Sequence, residues 1–110
     1  MANYTATYDR SALVRGDTLL PLSVTITVDE IPADIMSVRS QLRNPGGILV
    51  HTFALDLNGN TVTYQAVGPE VTAHWPVLVL HYDLEVTLAS GRVVTWLKGS
   101  LPIVKDRTFS

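Results

Sequence analysis

The stretch Leu78–Val104, LVLHYDLEVTLASGRVVTWLKGSLPIV, decides the fold. With a tight turn at Ser90-Gly91, residues pair outward in one register. Leu88 meets Val93, Val86 meets Thr95, Leu84 meets Leu97, Tyr82 meets Gly99, Leu80 meets Leu101 and Leu78 meets Ile103, all on one apolar face. On the other face Asp83 meets Lys98, Glu85 meets Trp96 and His81 meets Ser100. A single register thus satisfies apolar pairing, an opposite-charge pair and an aromatic ring over a glycine. A slip by one residue scrambles all three. The stretch predicts a long β-hairpin and an all-β chain.

Two further hairpins read outward from it. Asn44-Pro45-Gly46-Gly47 is a turn between an alternating segment, Met36 to Arg43, and a return strand from Ile48 to Leu57. Asn58-Gly59 is a hairpin signal leading into Thr61–Val67. The implied pairs are Leu42 with Leu49, Val38 with Phe53, Leu55 with Val62, and Phe53 with Tyr64, so three strands share one core face. Upstream, Leu20, Leu22, Val24, Ile26 and Val28 alternate with polar residues, and Pro21 assigns that strand to a sheet edge. Asp29–Asp34 and Gly68–Pro76 are connections, the second with a helical turn at Glu70–His74. Residues 1–10, holding Tyr4 and Tyr8, read as an N-terminal arm or first edge strand, and 105–110 as a polar tail. About seven strands with turns every 8–12 residues predict a single domain over 1–110: an immunoglobulin-like antiparallel β-sandwich.

Composition agrees. Of 110 residues 46% are apolar and 16% charged, which suits two inner faces to fill against a typical charged share of about 25%. The net charge of −2 comes without a basic stripe, so no nucleic-acid partner is expected. The absence of cysteine excludes disulfides and thiolate chemistry and suits a reducing cytosol. The N-terminus lacks the pattern of a signal peptide, and the longest apolar run, Pro76–Leu80, is far short of a membrane span. The chain reads as a complete, short, soluble product with no membrane partner.

Few residues suggest chemistry. His51 falls on the apolar face of its strand. His81, Asp83 and Glu85 form a comb on one outer face that could ligate a metal, but Lys98 competes for Asp83, and no metal is expected. No Gly-x-Ser-x-Gly occurs, and no cofactor, catalytic residue or enzymatic activity is expected. Arg15-Gly16-Asp17 reads as a turn before a strand and not as an adhesion motif. Trp96 is expected on the outer face with Val94 and Val104. Tyr4, Tyr8, Val94 and Trp96 are therefore the candidate interface residues.

Arg15-Gly16-Asp17-Thr18 before an alternating strand forms one element of a wider pattern. Val38-x-x-x-Leu42-Arg43-Asn44-Pro45-Gly46-Gly47 is a second. The third is Tyr82-Asp83-Leu84-Glu85, then Gly91-Arg92-Val93, then Lys98-Gly99-Ser100-Leu101-Pro102-Ile103-Val104. Together, over Arg15–Val104, they resemble small immunoglobulin-like β-sandwich proteins of tailed bacteriophages and prophages. The layout is similar to the N-terminal domain of upper baseplate proteins, which anchor receptor-binding proteins in the tail tip. The resemblance implies a non-enzymatic structural or adaptor component of the virion, in tail, baseplate or fibre attachment, made in the host bacterial cytoplasm. It implies other tail proteins or a second copy as partners. Baseplate proteins of that kind continue into further domains, so this length suits a free-standing adaptor or a prophage orphan. The alternative is a carbohydrate- or ligand-binding sandwich, which calls for exposed aromatics such as Trp75 and Trp96 on a concave face.

Overall fold

The computed structural model describes residues 6–28 and 30–105. In chain order the elements are β1 (Ala6–Thr7), β2 (Leu13–Val14), β3 (Leu22–Thr25), β4 (Thr27–Val28), β5 (Ile31–Pro32) and β6 (Ile35–Arg43). They continue with β7 (Leu49–Thr52), β8 (Leu55–Asn58), β9 (Thr61–Tyr64), α1 (Pro69–Thr72), β10 (Val79–Leu88) and β11 (Val93–Val104). Among the described residues seven strands have four or more residues, in line with the expected count. Tyr4 lies outside the described residues.

The larger sheet runs β1-β11-β10-β6-β7, with β2 also on β11; the smaller runs β3-β9-β8, and β4-β5 is a separate ribbon. The expected edge position after Pro21 holds, since among the described residues β3 pairs only with β9. Two expectations are corrected. The segment 48–57 is not one strand: β7 pairs with β6, then the chain crosses at Phe53-Ala54 and β8 pairs with β9 in the facing sheet. The sandwich is also not purely antiparallel, because β1 and β2 run parallel to β11.

Two of the three hairpins have loops one residue longer than expected. Leu88 N–H donates to Arg92 O and Gly91 N–H to Leu88 O, so the last loop is Ala89-Ser90-Gly91 with Gly91 at φ 92. This is a type I turn followed by a left-handed residue, which glycine supplies without a Cβ clash. It shifts the first pairs to Thr87–Val93, Val86–Val94 and Glu85–Thr95. A bulge then absorbs Trp96, and from Leu84–Leu97 to Leu80–Leu101 every pair is the expected one. Asn44–Ile48 repeats the device. Gly47 sits at φ 85, Arg43 pairs with Leu49, and an irregularity at Val50 brings Leu42 opposite His51 rather than Leu49. The Asn58–Thr61 hairpin turns on Gly59-Asn60, so Leu55 meets Tyr64 and Leu57 meets Val62, two residues from the expected register.

Inward residues of both sheets form one core: Leu42, Leu80, Leu84, Val86, Leu97, Leu101 and Ile103 face Ile26, Val62, Tyr64 and Phe53. Each such side chain stabilises the fold by about 1.5–3 kcal/mol. At the start of β3 the alternation breaks. Leu19 is buried and bridges Val67, whereas Leu20 is 68% exposed: the ladder is interrupted at Leu20-Pro21, between that bridge and β3. Ser40 is the buried polar residue of β6. Its hydroxyl donates to Asp83 O and accepts from the Tyr64 hydroxyl at 2.7 Å, so neither group is left unpaired.

Candidate functional site

Cross-strand partners project from the same side of a sheet. With Leu84, Leu42 and Leu101 inward, the outer face of the larger sheet carries the row Leu49, Arg43, His81, Ser100 and, next to it, Val79 with Pro102. The middle of this face is charged. Arg39 pairs with Glu85 at 3.2 Å, and Arg43 bonds Gln41 Oε1 at 2.8 Å and Gly47 O at 2.9 Å. Asp83 and Lys98 are register partners as expected, yet the ion pair found among the described residues is Arg39–Glu85. The comb His81, Asp83, Glu85 is present on this face, but Glu85 is held by Arg39. Among the described residues no group of three or more His, Asp and Glu side chains is placed to hold a metal.

Toward the Asn44–Ile48 end the charged face gives way to apolar side chains. Leu49, Val79 and Val104 point outward and are 46%, 47% and 39% exposed. Ile48, Val77 and Leu78, also exposed, stand at the same end, where β6 turns and β10 begins. Apolar residues grouped at one edge of a polar face differ from singly scattered ones, which need no explanation. The outer face of the smaller sheet is a hydroxyl ladder instead, with Ser23 bonded to Thr63 at 3.0 Å and Thr25 to Thr61 at 3.4 Å.

The expected interface residues divide. Tyr8 is 47% exposed and follows β1, whose Ala6 and Thr7 pair in parallel with Leu97 and Lys98 of the same chain. The N-terminal segment is therefore seated on its own sheet and is not a free arm over its described length. Val94 is a correction: it pairs with the fully buried Val86 and so lies on the inner side, while Val93 and Thr95 lie outside. Trp96 is a second correction: it occupies the bulge, is half-buried and packs against the core. Both follow from the extra loop residue, which inverts the facing of every position between the loop and the bulge. Val104 is outward as expected.

The aromatics also lie elsewhere than a glycan-binding face demands. Trp75 is buried, and a chain of rings runs inward from it. His51 lies 5.4 Å from Trp75 and 5.3 Å from Phe53; Phe53 is 5.2 Å from Tyr64, and Tyr64 is 6.3 Å from Tyr82. Burial lowers the His51 pKa from its usual 6.5. Burial foremost pushes the Tyr64 hydroxyl up to about 12, and raises that of Tyr82 further. Arg15-Gly16-Asp17 forms a turn, as read: Asp17 N–H donates to Val14 O, Gly16 has φ 94, and Thr72 Oγ1 of α1 donates to Asp17 O at 2.7 Å.

No protein-family model matches the chain, and no curated protein sequence matches it. Among solved structures it is similar to CopC from Methylosinus trichosporium OB3b, with a TM-score of 0.58 at 9% identity over 94% of this chain and 91% of that one. It also aligns with the Ig1 domain of mouse SynCAM 2, with a TM-score of 0.48 at 13% identity over 91% and 93% of the two chains. A third is a DUF4785 family protein from Legionella pneumophila, with a TM-score of 0.49 at 16% identity over 94% of this chain and 26% of that one. The fold is thus a β-sandwich similar to that of CopC.

Proposed function

We propose that the protein is a structural or adaptor module that acts by docking other proteins, as a component of a tailed-phage particle. One observation supports docking: the apolar end of the outer sheet face, Leu49, Val79 and Val104 with Ile48, Val77 and Leu78, lies beside the charged ladder of Arg39, Glu85 and Arg43. An apolar patch flanked by charged side chains supplies the two parts of a protein–protein interface, apolar contact and polar border. The virion placement rests on the sequence resemblance alone. The partner is a tail or baseplate protein with an apolar patch of its own.

The test is attachment of the full chain to particles assembled without it. Leu49→Lys/Val79→Lys, shown to fold by its circular dichroism and melting temperature, is expected to lose attachment. Thr63→Lys, on the opposite sheet, is expected to keep it. Equal attachment of both variants would refute the assignment of this end.

A further inference from the structure

The N-terminal segment has the properties of a detachable ligand. From Ala6 to Val14 it pairs with β11 alone: Ala6 and Thr7 with Leu97 and Lys98, Leu13 and Val14 with Ile103 and Val104. Between these pairs Tyr8 N–H donates to Lys98 O at 2.9 Å and Arg10 N–H to Ser100 O at 2.8 Å. Asp9 Oδ1 accepts from both the backbone N–H and the hydroxyl of Ser100, at 3.0 and 3.1 Å. The Tyr82 hydroxyl donates to Tyr8 O across Gly99. Besides this bond from β10, one hydrogen bond ties the segment to another part of the chain, from Arg10 Nη2 to Leu20 O at 3.1 Å. Thr7, Tyr8, Asp9, Ser11 and Ala12 are exposed, and Leu13 is the buried anchor.

The seat is made for this segment. A Cβ at Gly99 would lie 1.8 Å from Tyr8 O, so glycine leaves the space through which that backbone reaches the Tyr82 hydroxyl. A strand that fits must place a carbonyl at this point and a carboxylate on the next residue, above Ser100. The segment Tyr8-Asp9 does so. The exit is a hinge: the Val14–Asp17 turn depends on Gly16 at φ 94, and no other heavy atom lies within 4 Å of where its Cβ would be. Straightening this one unpacked residue swings the strand away from β11 and lifts a single core side chain, Leu13, with it.

We propose that β11 is a strand-acceptor site whose occupant can be the 6–14 segment of a second copy, so that two copies associate by exchanging N-terminal strands. Each contact of the seated strand is remade in the exchanged pair, so the two forms differ only in the hinge and in association entropy. This association meets the apolar end only where Val14 pairs with Val104 and does not involve Leu49 or Val79, so it stands apart from the docking reading.

Because the chain has no cysteine, introduced thiols report the exchange cleanly. Full-length Asp9→Cys and Ser100→Cys chains, with different tags, are co-expressed, purified and mildly oxidised. The expected product is a disulfide-linked heterodimer, several-fold above the homodimers of either variant alone. Its yield is expected to rise with Gly16→Val, which disfavours the closed turn. The double variant Asp9→Cys/Ser100→Cys in a dilute single chain is expected to close internally. No heterodimer above the homodimer level, with internal closure intact, overturns the exchange; failure of internal closure overturns the seat. Thr7→Cys with Lys98→Cys, partners in the same ladder, repeats the test if Asp9 variants fold poorly. Leu49→Lys/Val79→Lys is expected to leave the heterodimer unchanged, which separates this result from the docking test.

Discussion

Gly99→Ala isolates the seat of the N-terminal strand. The added methyl would stand 1.8 Å from Tyr8 O, a backbone atom, and 3.2 Å from Tyr82 Cε1. Neither rotamer change nor a small shift clears a backbone contact that short, so the strand must lift. Six hydrogen bonds go with it: Tyr82 to Tyr8, Tyr8 to Lys98, Arg10 to Ser100, the pair from Ser100 to Asp9, and Arg10 to Leu20. At about 1 kcal/mol net for each bond, the loss is about 6 kcal/mol. Freeing Ala6–Arg10 returns conformational entropy of about 1 kcal/mol per residue, which nearly cancels it. Global stability should therefore fall by only about 1 kcal/mol, while local order is lost. Hydrogen exchange distinguishes these outcomes. The amides of Tyr8, Arg10 and Ser100 should lose protection, and those of Leu42 and Leu84 in the centre of the sheet should keep it. Retained protection at Tyr8 and Arg10 in Gly99→Ala would refute the steric reasoning.

Three other perturbations address the core and one strained turn. Because burial depresses the His51 pKa, the unfolded chain takes up that proton first. Its contribution is full above pH 6.5 and declines as pH falls below it, so His51→Phe should flatten this part of the pH dependence of urea unfolding. Tyr64 has the opposite sign: with its hydroxyl raised to about 12, stability falls as pH rises past the unfolded value near 10. Tyr64→Phe should remove that share of the alkaline loss at a cost of about 1 kcal/mol at neutral pH from the lost Ser40 bond, read by thermal melts at pH 7 and 10.5. Glu30 holds φ 66 in the β4-β5 turn, a region that asparagine tolerates better. Glu30→Asn should stabilise by about 1 kcal/mol, and an unchanged or lowered melting temperature counts against strain there.

The inner face of the sandwich was legible because strand facing depends on parity. The expected pairs Leu55–Val62 and Phe53–Tyr64 are each displaced by two, yet Val62, Tyr64 and Phe53 are buried as read. In the last hairpin the longer loop and the Trp96 bulge offset one another, so Leu84 meets Leu97. Apart from Leu20 ahead of β3, the reading of the inner face fails where the offset is odd. Leu49 and Val93 turn outward, and Val94 turns inward. A left-handed glycine at the third loop position marks both sites, and Gly47 and Gly91 carried that signal.

The candidate surface was less legible. Its apolar end assembles Leu49, Val79 and Val104 from three strands, a grouping set by sheet order and not by sequence spacing. The seat of the N-terminal strand likewise joins Tyr8-Asp9 to Gly99-Ser100 across ninety-one positions. The sequence signal for it was Gly99 itself, opposite Tyr82 and without a turn to explain it.

Quantitative mass spectrometry of purified particles tests the central claim most directly. The account predicts peptides of this chain at a fixed ratio to the tail proteins, with the ratio collapsing for Leu49→Lys/Val79→Lys. Abundant chain in the producing cells and none in the particles would contradict it.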